Sequence, residues 1–271
     1  MNALDLRSVS KSFGGKRVLD DMSFSVPEHC VFGFVGTNGA GKTTTMKMIL
    51  GLLKADCGEI DVYGERVSFG ATKTNRLIGY LPDVPEFYGY MRPKQYLGLC
   101  AEIAGLDEKS AQPRIAELLD LVGLSDANRK IGGFSRGMKQ RLGVAQALIG
   151  DPKLLICDEP TSALDPVGRK EILDILRKIK AKTTVVFSTH ILSDVERICD
   201  RVAVLNKGKI VLESAMGDLK LQEKSTSFTF EFNREIATDE ILRVLRENNL
   251  EPIKYETAEH TIESLFLGVA K

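Results

Sequence analysis

Apolar residues near the start of the chain recur at every second position. Met22, Phe24 and Val26 alternate with Ser23 and Ser25, the period of a strand with one buried face. Residues 31–35 form an unbroken apolar run ending at Gly36, which suits a strand buried on both faces that runs into a loop. Over residues 42–53 the period lengthens, and Met46, Ile49, Leu50 and Leu53 fall on one face of a predicted helix. Residues 60–64 read as a short strand and turn. Past Pro85 the character changes, and residues 96–149 are helical in period. Ile115, Leu118, Leu119 and Val122 stand at i, i+3, i+4 and i+7, with Gly123 placed as a C-cap. Strand character returns at 154–157, 184–187 and 202–205, with a helix predicted over 169–179. The pattern therefore predicts β/α units flanking a helical insert at about residues 87–150.

After about residue 220 a new unit is expected. Phe228, Phe230 and Phe232 alternate with polar residues as a strand would, Ile241, Leu242 and Leu245 mark a helix, and Ile262, Leu265 and Phe266 mark another. Acidic residues outnumber basic ones in this tail. It reads either as a small accessory region, 221–271, or as the end of a main domain over 1–220, and the first reading is preferred.

Composition narrows the class. The 271 residues are 43% hydrophobic and 27% charged, with 37 Lys+Arg against 37 Asp+Glu. Binding to nucleic acid draws on a basic excess that this balance lacks, so no nucleic-acid partner is expected. The five cysteines, at 30, 57, 100, 157 and 199, have no metal-ligand spacing and read as reduced, buried thiols. No apolar signal core opens the chain, and no run approaches the ~18 apolar residues of a membrane-crossing helix. A cytoplasmic protein is expected.

Candidate chemistry begins at Gly36-Thr37-Asn38-Gly39-Ala40-Gly41-Lys42-Thr43, which fits G-x-x-x-x-G-K-[ST] between a predicted strand and a predicted helix. Glycines let backbone N–H groups close on phosphate oxygens, and the helix start turns its positive end toward them. Lys42 reaches the β- and γ-phosphates, and the Thr43 hydroxyl is offered to Mg²⁺. By chance the pattern arises in about one chain in a hundred of this length. Downstream, the apolar run 154–157 ends in Asp158-Glu159. In a parallel sheet such strand ends gather catalytic groups, which assigns Asp158 to Mg²⁺ and Glu159 to the attacking water.

The residues that follow resemble the ABC (ATP-binding cassette) ATPases, motif by motif and in family order over about residues 4–215. Thr161-Ser162-Ala163-Leu164-Asp165 resembles their D-loop. Phe134-Ser135-Arg136-Gly137-Met138-Lys139-Gln140-Arg141 resembles their signature, His190 their switch histidine, and Phe13 the aromatic that stacks on adenine. The resemblance implies an α/β fold: a P-loop NTPase (RecA-like) core with an antiparallel β part and an inserted helical subdomain, plus a small C-terminal α+β extension. It implies ATP and Mg²⁺ as cofactors, with Phe13, residues 36–43, Thr44, Ser135, Gly137 and Asp165 around the nucleotide. Thr43, Asp158 and Asp83 would lie at the metal, and Glu159 and His190 would act in hydrolysis. It further implies two cassettes, a second copy or a relative, closed head to tail around two ATP, so that Ser135 caps a helix facing the γ-phosphate held by the other chain.

Two motifs depart from the family pattern. The usual L-S-G-G-Q signature is replaced by Phe134-Ser135-Arg136-Gly137-Met138, a variant that export-type subunits resemble. Where the family's Q-loop carries Gln, Gly79-Tyr80-Leu81-Pro82-Asp83 has Asp83, which is shorter and cannot donate. The leading reading is the motor of an export-type transporter, peripheral on the inner face of the cell membrane, driving a separate membrane-spanning subunit. A soluble ABC ATPase of another process, such as iron–sulfur cluster assembly, is the alternative. Residues 85–91, with Phe87, Tyr88, Tyr90 and Met91, read either as core between two lobes or as an exposed docking surface for the membrane chain.

Overall fold

The structure is a computed structural model describing residues 1–70, 73–222, 237–248 and 250. In chain order the described elements are β1 (Asn2–Phe13), β2 (Lys16–Pro27), β3 (Val31–Gly36), α1 (Lys42–Ile49), β4 (Cys57–Val62), β5 (Glu65–Arg66), β6 (Ile78–Leu81), α2 (Pro93–Ile103), α3 (Glu108–Leu121), α4 (Arg136–Ala147), β7 (Leu154–Cys157), α5 (Pro166–Ile179), β8 (Thr184–Thr189), α6 (Leu192–Ile198), β9 (Arg201–Asn206), β10 (Lys209–Ala215), α7 (Met216–Gln222) and α8 (Thr238–Glu247). Short 3₁₀ turns cover Lys73–Leu77 and Ile131–Gly133.

Two sheets form. One is antiparallel, in the order β2-β1-β4-β5; the other runs β10-β9-β3-β8-β7-β6, parallel except for β10. The apolar run of β3 is buried at all six positions, as a central parallel strand requires. Its faces divide the core. Phe32 and Phe34 face the antiparallel sheet and α1, where both stack on Phe24 at 5.6 and 5.2 Å between ring centres. Val31 and Val35 face the opposite cluster, built with α5, α6 and the helices α2–α4. Each fully buried ring or branched chain here contributes about 1.5–3 kcal/mol.

The helical insert meets the sheet along β6. At Gly79 a Cβ would collide with the carbonyl oxygen of Ala147, so only glycine lets the end of α4 lie on this strand. On the far side Tyr96 and Leu97 of α2, Ile115, Leu118 and Leu119 of α3, and Leu142 and Val144 of α4 form one buried cluster.

Two expectations need correction, and one open reading is divided. Helix α1 stops at Ile49 rather than reaching Leu53, because Gly51 turns into the left-handed region at φ 71°. Cys57 is exposed and Cys100 and Cys199 are half-buried, so only Cys30 and Cys157 are the buried thiols expected; all five are free. Residues 85–91 divide between both readings: Phe87 packs edge-on against Tyr96 at 5.1 Å, while Tyr88 and Tyr90 are 54% and 70% exposed.

By packing the chain divides into two units, Met1–Glu223 and Lys224–Lys271. In the second, α8 carries the helical period of Ile241, Leu242 and Leu245. The strand expected around Phe228–Phe232 and the helix expected around Ile262 lie outside the described residues. No helix among the described residues is long and apolar enough to cross a membrane.

Candidate nucleotide site

The phosphate loop connects β3 to α1. Gly41 adopts φ 112° directly before the helix, and a Cβ there would meet Leu19 at 2.6 Å. The conformation and the close approach both exclude a side chain, and the first N–H groups of α1 are left facing the loop. Lys42 folds back over this loop. Its ammonium donates to the carbonyls of Gly36 at 2.7 Å and Thr37 at 3.2 Å and pairs with Glu159 Oε1 at 3.0 Å, with only 6% of the side chain exposed. Thr37, Asn38 and Gly39 form the exposed lip, Ala40 is buried, and Thr44, the third residue of α1, is half-buried.

Parallel strands bring the remaining groups to the same edge. The Thr43 hydroxyl donates to Asp158 Oδ2 at 2.8 Å. The other oxygen of Asp158 accepts from Ser188 Oγ at 2.7 Å, and Ser188 Oγ in turn accepts from the Glu159 backbone N–H at 2.9 Å. Glu159 itself sits at φ 47°, a region uncommon for a residue with a side chain. The Ser188 bond and the Ser162 N–H donated to the Glu159 carbonyl hold it there. Its carboxylate thereby lies between Lys42 and His190, whose Nδ1 is 3.0 Å from Oε2. Facing a carboxylate, Nδ1 carries the proton. Asp83 follows β6, which is tied to β7 by the Asp158 N–H donated to the Leu81 carbonyl. Burial raises the Asp83 carboxyl above its ordinary range; Arg136 and the Ser162 side chain oppose that, and Asp158 and Glu159 reinforce it.

Of the sequence candidates, Lys42, Thr43, Asp158, Glu159 and His190 are joined by direct contacts. No hydrogen bond among the described residues joins Asp83 to Thr43 or Asp158. Phe13 stands at the turn after β1, 47% exposed, with the Lys11 ammonium 5.4 Å from its ring centre. Ser135 caps α4, accepting from the Met138 N–H at 3.2 Å, and Asp165 caps α5, accepting from the Gly168 N–H at 3.1 Å. Neither Ser135, Gly137 nor Asp165 is hydrogen-bonded to the phosphate loop among the described residues. Gly137 has open space where a Cβ would project.

Sequence reasoning missed Ser188 and a buried junction behind the site. Asp194, 2% exposed, accepts from Thr161 Oγ1 at 2.7 Å and from Arg169 Nε at 2.6 Å. It ties the loop after Glu159 to α6, which follows His190. For Ser188 a signal existed: it is the first polar residue after the apolar run Val185-Val186-Phe187 of β8. For Asp194 there was none, because Leu192-Ser193-Asp194-Val195-Glu196 reads as an exposed helix start.

A family profile described as ABC transporter matches residues 19–162, more than half of the chain. The chain belongs to the ABC transporter family. The same cassette recurs in an uncharacterised ABC transporter ATP-binding protein of Bacillus subtilis, YxlF, 44% identical over 227 residues, or 83% of this chain and 75% of that one. The Nod factor export ATP-binding protein I of Burkholderia orbicola is 37% identical over 214 residues, 78% and 70% of the two chains. A solved ATP-binding subunit of an ABC transporter superposes with a TM-score of 0.72 at 31% identity, covering 90% of this chain and 99% of its own. This chain is accordingly an ATP-binding subunit of an ABC transporter, and its two-sheet core with helical insert is the ABC ATPase fold.

Proposed function

We propose that this ABC subunit hydrolyses ATP in a head-to-tail dimer and so drives export through a separate membrane chain on whose inner face it sits. The observation that carries hydrolysis is the convergence of Lys42 and His190 on the two oxygens of the Glu159 carboxylate. ATP phosphates take the place of Glu159 at Lys42, which leaves the Glu159 carboxylate to accept a proton from water. With Nδ1 held by Glu159, the Nε2 edge of His190 is the one to meet a phosphate oxygen. The oxygen donors Thr43 and Asp158 fit a hard cation and are the residues that would hold Mg²⁺, which would neutralise charge on the β- and γ-phosphates; Asp83 adds a second carboxylate on that side. Phe13 offers an exposed ring face to adenine.

A second chain is required by the signature. Ser135 opens α4 with its N–H groups and the open space at Gly137 directed to no partner in the same chain's phosphate loop, an anion site awaiting an anion from outside. Cysteines placed at Asn38 and Gly133, both exposed, with Cys57 changed to Ser, test this. ATP should produce disulfide-linked dimers that are absent without nucleotide. Exclusively intramolecular links would reject the shared site.

Export rests on the signature variant and on the similarity to a subunit named for Nod factor export. Docking to the membrane chain is assigned to Tyr88 and Tyr90, whose rings lie 5.9 Å apart on the surface, a few residues along the chain from Asp83. Changing both to Ser should abolish co-purification with the membrane chain while lowering the melting temperature by no more than about 2 °C, as for an exposed pair. Retained co-purification would place the docking surface elsewhere.

A further inference from the structure

One residue from each of the chain's two departures from the family pattern, Arg136 in the signature and Asp83 after β6, meet in space. Arg136 is the first residue of α4, in the helical insert; Asp83 follows β6, in the β/α core. Arg136 Nη2 stands 3.9 Å from Asp83 Oδ1, with both side chains half-exposed. That distance is an ion pair without a hydrogen bond, and Oδ1, itself sealed from solvent, has no hydrogen-bond partner among the described residues. Each partner is poorly placed alone. Arg136 and Lys139 put two cations at the positive end of α4, and the first turn holds no acidic residue. Asp83 lies near the carboxylates of Asp158 and Glu159. One contact relieves both conflicts, with the Ser162 side chain also favouring the Asp83 carboxylate.

We infer that Asp83 and Arg136 are one positioning unit, a charge pair that sets the N-terminus of α4 against the metal-side loop so that Ser135 can meet the partner chain's phosphate. The substitution of the family's Gln by Asp and of its Gly by Arg is then a single compensated change. The inference rests on the head-to-tail reading above. It adds that the signature end of α4 is set by the loop after β6 of its own chain.

A double-mutant cycle tests it. Asp83→Gln, Arg136→Gln and the double variant are made in a Glu159→Gln background, so that hydrolysis does not intrude. ATP-driven dimerisation is measured by sedimentation, relative to each variant's own affinity for ATP as a monomer. Asp83→Gln leaves an uncompensated cation at the helix end, and Arg136→Gln leaves an uncompensated carboxylate beside two others. Each single change should weaken the dimer about fivefold per site, and so roughly 25-fold with two sites, and the double change should recover to within about threefold of the parent. Additive losses overturn the pair. Loss in Arg136→Gln alone, without recovery in the double, assigns Arg136 directly to the partner's phosphate and also overturns it. Melting temperatures that fall in parallel with dimer affinity would make the contact purely structural, again against the proposal. If the Glu159→Gln parent forms no dimer with ATP, the head-to-tail reading itself falls.

Discussion

Glu159→Gln will bind ATP and turn it over roughly 10²–10⁴-fold more slowly than the parent, the loss expected on removing a general base. The substitution preserves shape, so the Ser188 bond to the backbone N–H of residue 159 and the φ of 47° persist. The carboxylate that accepts the proton from water is gone. Lys42 loses its counter-ion but keeps the carbonyls of Gly36 and Thr37, and ATP no longer has to displace a carboxylate from the ammonium. Binding should therefore tighten while chemistry stops. Phosphate release under saturating ATP, with binding of a labelled nucleotide in parallel, checks both halves. Turnover above about a tenth of the parental rate would move the base to another residue, with His190 first in line.

Asp194→Ala is expected to lower stability by about 3 kcal/mol. Asp194 is 2% exposed and accepts two short hydrogen bonds, and removing it leaves the Arg169 guanidinium and the Thr161 hydroxyl without their acceptor. Arg169 is 28% exposed and recovers part of its hydration, which places the loss near the lower end of the range for broken buried pairs. For a unit of this size the melting temperature should fall by roughly 6–12 °C. Asp194→Asn keeps the acceptor toward Thr161 and should fall between the parent and Asp194→Ala. A shift under 2 °C for Asp194→Ala would show the junction to be energetically idle. Because it joins the loop after Glu159 to the helix after His190, hydrolysis should decline at temperatures where the fold still holds.

What could be read from the chain alone follows the range of the forces involved. The phosphate loop was legible because its chemistry is local: eight consecutive residues between a strand and a helix specify a backbone shape. The Ser135 cap was legible for the same reason, since its acceptor role needs only the N–H three residues on. Helix α1 was overextended because Leu53 kept the apolar period, while the left-handed turn at Gly51 lies in backbone geometry. Residues 85–91 could not be sorted into core and surface because Phe87 finds its partner, Tyr96, in the next helix and Tyr88 faces outward. Asp194 was illegible for want of any local sign, its acceptor role depending on Thr161 and Arg169 from two other segments. The strand order β9-β3-β8-β7-β6 lay beyond reach as well, because a parallel crossover leaves no trace in the period of either strand.

That strand order also governs how the protein is born. β3 carries the phosphate loop and leaves the ribosome early, yet Val31 pairs with Val185 and Phe32 with Arg201. At ~5–20 residues per second, on the order of ten seconds pass before either neighbour is made. Throughout that interval Phe32, Phe34 and the rest of an entirely apolar strand have no sheet to enter, although β1 and β2 are already available to pair. The nascent chain therefore spends its synthesis unable to hold nucleotide and exposes its stickiest segment longest.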